Sequence, residues 1–140
     1  DITRQLRAFY AKGNFLMRNF KICSPDVKAK LFNAFCSNVY CGHLWSFYKK
    51  ASLSRITVAF NNSFRRLMGC LKYCSASLMF VQRGVPCFGE ILRKSIFGFK
   101  QRVLRSSNCL LLTVYQNAFY DVNSVWRKWD STLYTSNLYV

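Results

Sequence analysis

The chain has 140 residues, with 21 Lys and Arg against 5 Asp and Glu and a formal net charge of +16. Hydrophobic residues make up 51% and aromatics 17%, ample material for a core, which excludes intrinsic disorder despite the charge. Only 2 prolines and 6 glycines favour helices over sheet and turn, and the length suits one domain or two small helical subdomains.

In the first helix, predicted over 2–21, Ile2, Leu6, Phe9, Tyr10, Gly13, Leu16, Met17 and Phe20 wind onto one face. Arg4, Arg7, Asn14 and Arg18 fall opposite, a polar stripe that contains no acid. A solvated helix face ordinarily mixes signs, because alternating charges relieve their own repulsion. A stripe of one sign is favoured where a polyanion supplies the missing charge, which makes nucleic acid the first partner to consider.

Ser24-Pro25-Asp26 restarts the chain: Ser24 can cap, Pro25 suits the first helical position, and Asp26 complements the positive end of the dipole. The second helix then runs to about residue 48, with Val27, Leu31, Ala34, Phe35, Asn38, Cys41, Gly42 and Trp45 along one side. Capped by Ser52 or Ser54, the third buries Leu53, Ile56, Ala59, Phe60, Phe64, Leu67 and Met68, and Gly69 stops it. Arg55, Asn62, Arg65 and Arg66 lie off that stripe. A looser stretch over 70–74 leads to a short apolar helix over 75–81.

Pro86 opens the next helix, with Phe88, Ile91, Leu92, Ser95, Ile96, Phe99 and Val103 on one face and Ser106-Ser107-Asn108 at its end. The last helix, 109–120, is apolar on most sides and must be buried or dock on other protein. From Asp121 onward the chain reads as a flexible tail. No alternation supports a strand, so the class is all-α: a helical bundle of about five to six helices. Phe9, Phe20, Leu31, Phe35, Trp45, Phe60 and Phe64 are its expected core.

Catalytic chemistry has little to work with. There is no Gly-rich phosphate loop, paired carboxylate or nucleophile elbow, and Asp1, Asp26, Glu90, Asp121 and Asp130 are widely separated. Phe119-Tyr120-Asp121-Val122 lacks the second Asp of a polymerase aromatic-x-Asp-Asp turn. His43, beside apolar neighbours, reads as a packing residue rather than a general base.

The 7 cysteines are an odd number and mostly lie on apolar faces, so they read as free thiols in a reducing, intracellular compartment, nuclear and cytoplasmic. Cys36, Cys41 and His43, or Cys70 and Cys74, lack zinc-site spacing. No apolar run approaches the ~18–20 residues that span a bilayer, so no membrane partner is expected. Starting at Asp1, inside a helical pattern and without Met, the chain reads as a piece of a longer polypeptide.

A family resemblance adds to this. Asp1-Ile2, Arg4-Gln5, Arg7, the run Phe9-Tyr10-Ala11-Lys12-Gly13-Asn14, Leu16 and Arg18-Asn19-Phe20 resemble the segment after the palm in non-LTR (LINE-type) retrotransposon reverse transcriptases, in the Jockey and chicken-repeat branches. The likeness continues through Cys23-Ser24, Val27-Lys28, Leu31-Phe32, Leu44-Trp45 and Tyr48. It is sharpest at Val58-Ala59-Phe60-Asn61-Asn62, Phe64-Arg65, Leu67 and Gly69. It resumes at Ser75-Ala76-Ser77, Met79-Phe80, Arg93-Lys94, Phe97, Phe99, Arg102 and Ser106-Ser107-Asn108, and so covers about residues 1–112. Asn19 departs from a usual basic residue, and Cys70-Leu71-Lys72 from a stretch that often holds Pro.

The resemblance implies a thumb-like three-helix bundle over 1–69, a helical C-terminal extension over 70–120 and a tail over 121–140. It implies that the catalytic aspartates, and the Mg²⁺ they bind, belong to a palm outside this chain. No cofactor is expected in the chain itself. The implied partners are an RNA–DNA hybrid, template RNA, and the palm and other domains of a parent polypeptide. Arg4, Arg7, Lys12, Asn14 and Arg18 are the candidate backbone contacts, with Lys21 and Lys28 at the margin and Asn61, Asn62, Arg65 and Arg66 as a second set. The alternatives are a helical protein–protein module and a basic amphipathic membrane binder.

Overall fold

Seven α-helices and one 3₁₀ turn make up the described chain, residues 2–118 and 125–134 of a computed structural model, with no strand among them. The helices are α1 (Ile2–Asn19), α2 (Pro25–Cys36), α3 (Lys50–Met68), α4 (Ala76–Arg83), α5 (Phe88–Leu104), α6 (Cys109–Ala118) and α7 (Val125–Tyr134). The 3₁₀ turn is Gly42–Phe47. The all-α class is therefore as expected, with one or two more helices.

The described residues divide into two compact units that do not follow chain order. Unit 1 takes residues 2–39 and 49–91, and unit 2 takes 40–48 and 92 onward, so α5 gives its first turn to unit 1 and the rest to unit 2. The expected boundary at residue 69 falls inside unit 1, which also holds α4.

In unit 1, α1, α2 and α3 pack on one another. Ser24 Oγ accepts from the Val27 N–H and Pro25 occupies the first turn of α2, as the sequence indicates. The α3 stripe is as expected in Leu53, Ile56, Ala59, Phe60, Phe64 and Leu67, all buried, whereas Met68 is only half-buried. Gly69 ends α3 at φ +68°, where its N–H and that of Cys70 reach back to the carbonyls of Arg66 and Arg65. That paired bond is the Schellman stop, and it needs a left-handed residue that glycine adopts without a Cβ penalty.

At the core of unit 1, Phe60 lies 5.0 Å from Phe32, 5.6 Å from Phe80 and 5.8 Å from both Phe9 and Phe88, centroid to centroid. Gly13 lets α1 approach α3 closely, because a Cβ there would stand 3.3 Å from Ser63.

Three expectations for this unit are corrected. α2 stops at Cys36 instead of continuing to residue 48: Cys41 takes a left-handed φ of 51°, which no helix interior accommodates. Its buried residues are Ala29, Phe32 and Cys36, so Phe35 is 43% exposed, with its ring centroid 6.1 Å from that of Phe15. α3 starts after Lys49 rather than after a serine, with no side-chain cap.

Unit 2 is built on tryptophan. Ile96 and Val103 of α5 and Trp126 and Trp129 of α7 form its buried cluster, with Phe99, Tyr115 and Leu133 packed against it. The expected tail thus contains a helix, placed by Trp126, Trp129 and Leu133 at helical spacing; residues 119–124 and 135–140 lie outside the described residues. Trp129 Nε1 donates to the His43 carbonyl at 2.6 Å, and Lys100 pairs with Asp130. Leu110, Leu111 and Val114 of α6 are exposed.

The His43 imidazole stacks on Phe99 at 4.1 Å, with the planes 3° apart. Burial first, and then the Arg102 charge, pull its pKa below the ordinary 6.5. The unfolded chain therefore takes up this proton before the folded one, and stability falls as pH drops below about 6.5. Melting followed by Trp fluorescence should show a lower midpoint at mildly acidic pH than at neutral pH. A His43→Gln variant should lose that difference, and an equal difference in the variant would remove His43 as its cause.

Candidate nucleic-acid interface

The outward face of α1 is set by helix geometry. Phe9, Gly13 and Leu16 are buried, which fixes the direction of the core. At ~100° per residue, Asn14, Arg7, Arg18 and Arg4 then fall within about 80° of one another on the opposite side. All four are exposed. From Arg4 to Arg18 the row runs ~21 Å along the helix axis at 1.5 Å per residue. α1 itself carries no acid. The other described acids of unit 1 are engaged elsewhere: Asp26 Oδ1 meets Arg83 Nη1 at 3.3 Å, and Glu90 Oε2 accepts from the Cys87 N–H at 2.9 Å.

The remaining predicted residues lie outside this row. Lys12 stands on the flank of α1, half-buried, where its charge partly offsets the burial that pushes the Cys36 thiol up to about 11. That thiol is protonated and inert at neutral pH. Lys21 is exposed in the turn after α1, and Lys28 is half-buried in the first turns of α2. Asn19 donates from its amide nitrogen to the Phe15 carbonyl at 2.9 Å.

In the second set, Asn61 is half-buried and Arg66 exposed. Arg65 is half-buried and serves the fold: Nε and Nη2 donate to the Cys74 carbonyl at 3.2 and 3.0 Å, and Nη1 donates to Asn62 Oδ1 at 3.1 Å. This fork ties the 70–74 loop to the end of α3. Beside it opens a cleft of about 460 Å³ lined by Tyr10, Asn62, Arg65, Arg66, Cys70 and Lys72. No family model, curated protein or solved structure matches this chain.

Sequence reasoning did not place three of the cleft residues, Tyr10, Cys70 and Lys72, among the contacts. Tyr10, expected on the apolar face, is 43% exposed, because one residue past the core centre at Phe9 turns the ring ~100° away from it. Lys72 is an exposed loop cation, and its only signal is its closeness to Arg65-Arg66 in sequence.

Among the described residues no three His, Cys, Asp or Glu side chains are placed to hold a metal ion, and all seven cysteines are free thiols. No described helix is long and apolar enough to cross a membrane. Phe119-Tyr120-Asp121-Val122 lies outside the described residues.

Proposed function

We propose that this chain is a non-catalytic segment of an RNA-directed DNA polymerase that grips the template–primer hybrid through its sugar–phosphate backbone. One observation carries the reading: Arg4, Arg7, Asn14 and Arg18 share an exposed face of α1 that contains no acid. Guanidinium groups bind phosphate oxygens, and an amide contacts sugar or phosphate without reading sequence. An A-like RNA–DNA hybrid offers a wide, shallow minor groove that admits such a helix between two backbones. The resemblance to reverse-transcriptase thumbs supports the same reading, and it puts catalysis and Mg²⁺ in other parts of a parent protein.

The test is the salt dependence of binding to a hybrid. If about five phosphates are neutralised, log K should fall against log salt with a slope of about −4 to −5. A slope near zero would end the proposal.

A second reading rests on α6. Leu110 is 72% exposed, with Leu111 and Val114 exposed beside it, an apolar face suited to docking on other protein. Sedimentation at two salt concentrations tests it: self-association that salt does not weaken, without hybrid binding, favours this reading over the first.

A further inference from the structure

The cleft at the end of α3 has a chemistry of its own. Arg65, Arg66 and Lys72 line it and, among the described residues, no acid does. Cations gathered without a counter-charge raise the local affinity for an anion. Arg65 is already oriented: of its five N–H donors, three go to Cys74 and Asn62, which leaves a fixed planar group with donors to spare for a phosphate oxygen. Tyr10 adds an aromatic ring with 43% of its surface exposed. The volume, about 460 Å³, falls within the ~300–1,000 Å³ of small-molecule sites.

Position adds to chemistry. Tyr10 is three residues beyond Arg7 and four before Asn14, so on the helix surface it neighbours both. A strand lying on the outward face of α1 reaches the cleft by crossing this one side chain.

We infer that the cleft takes one unpaired nucleotide: its phosphodiester against Arg65, Arg66 and Lys72, its base stacked on Tyr10. Stacking on an aromatic ring tolerates any base, so the site is not sequence-specific. The inference deepens the duplex-gripping reading by placing a single-stranded extension of the same substrate, and it depends on that reading only for the double-stranded part.

The experiment compares three probes on the full chain: a blunt RNA–DNA hybrid, the same hybrid with a short single-stranded extension on either strand, and the unpaired oligonucleotide alone. One extension should tighten binding about tenfold over the blunt hybrid. Tyr10→Leu and Lys72→Ala should each remove most of that gain and leave blunt-hybrid affinity as it is, with circular dichroism confirming the fold. Blunt-hybrid binding with less than an about twofold gain from either extension overturns the cleft and leaves the duplex reading standing. A gain that survives both substitutions also overturns the cleft. Unpaired-strand binding that both substitutions weaken, with no blunt-hybrid binding, keeps the cleft and overturns the duplex reading. A free mononucleotide that competes as well as the extended strand overturns the proposal in favour of a nucleotide site.

Discussion

Replacing Arg4, Arg7 and Arg18 together with alanine is expected to weaken hybrid binding by about a hundredfold or more at 0.1 M salt. Each lost phosphate contact removes ~0.9 from the salt slope, so three should take it from about −4 to −5 to about −2. The same factor of ~0.9 per contact, taken over one decade of salt dilution, gives the expected loss in affinity. The three side chains are exposed and alanine is a good helix former, so stability should move by no more than ~0.5 kcal/mol per substitution.

A charge-matched control separates a built surface from diffuse attraction. Lys30, Lys49 and Arg55 are also exposed but lie on α2, at the start of α3 and within α3. A net charge of +16 acting as a cloud would make both triple variants lose the same affinity. A row of contacts on α1 would make only the first lose it. Unchanged tight binding in the Arg4, Arg7 and Arg18 variant would remove α1 as the gripping element.

α1 and α3 could be read from the chain because their apolar residues leave one choice of inner face. Phe9, Gly13 and Leu16 leave the arginines only one side, and α3 ends on a glycine that its backbone geometry requires. α2 was ambiguous for a physical reason: Val27, Leu31 and Phe35 make one apolar row, and Ala29, Phe32 and Cys36 make another. Tertiary contact decides between them, since Phe32 finds Phe60 at 5.0 Å and Phe64 at 4.8 Å across the bundle.

The same limit applies to the site. Exposure of Arg4, Arg7, Asn14 and Arg18 follows from period alone, whereas the role of Arg65 depends on a carbonyl nine residues later that only folding brings near. The docking of α7 on the 3₁₀ turn joins residues 86 positions apart, which no local pattern encodes.

Phe60→Ala should be the most damaging single change to unit 1. The side chain is fully buried and touches aromatic rings from α1, α2, α4 and α5, so its loss opens a cavity that no one helix can move to fill. A Phe-to-Ala truncation of this kind costs about 3–5 kcal/mol, against a total of about 5–15 kcal/mol for a typical domain. Val58→Ala on the same helix is the comparison: Val58 is 52% exposed and its truncation should cost no more than ~0.5 kcal/mol. The measurement is urea unfolding followed by far-UV circular dichroism, which sees α1, α2 and α3. The three tryptophans, Trp45, Trp126 and Trp129, all belong to unit 2, so fluorescence would miss the effect. A midpoint for Phe60→Ala that matches Val58→Ala, at equal m-value, would mean that Phe60 is not the centre of the core that holds α1 in place. A large drop would tie the arginine row to the aromatic cluster beneath it, because Phe9 carries the inner face of α1 and Phe60 is one of the rings it packs against.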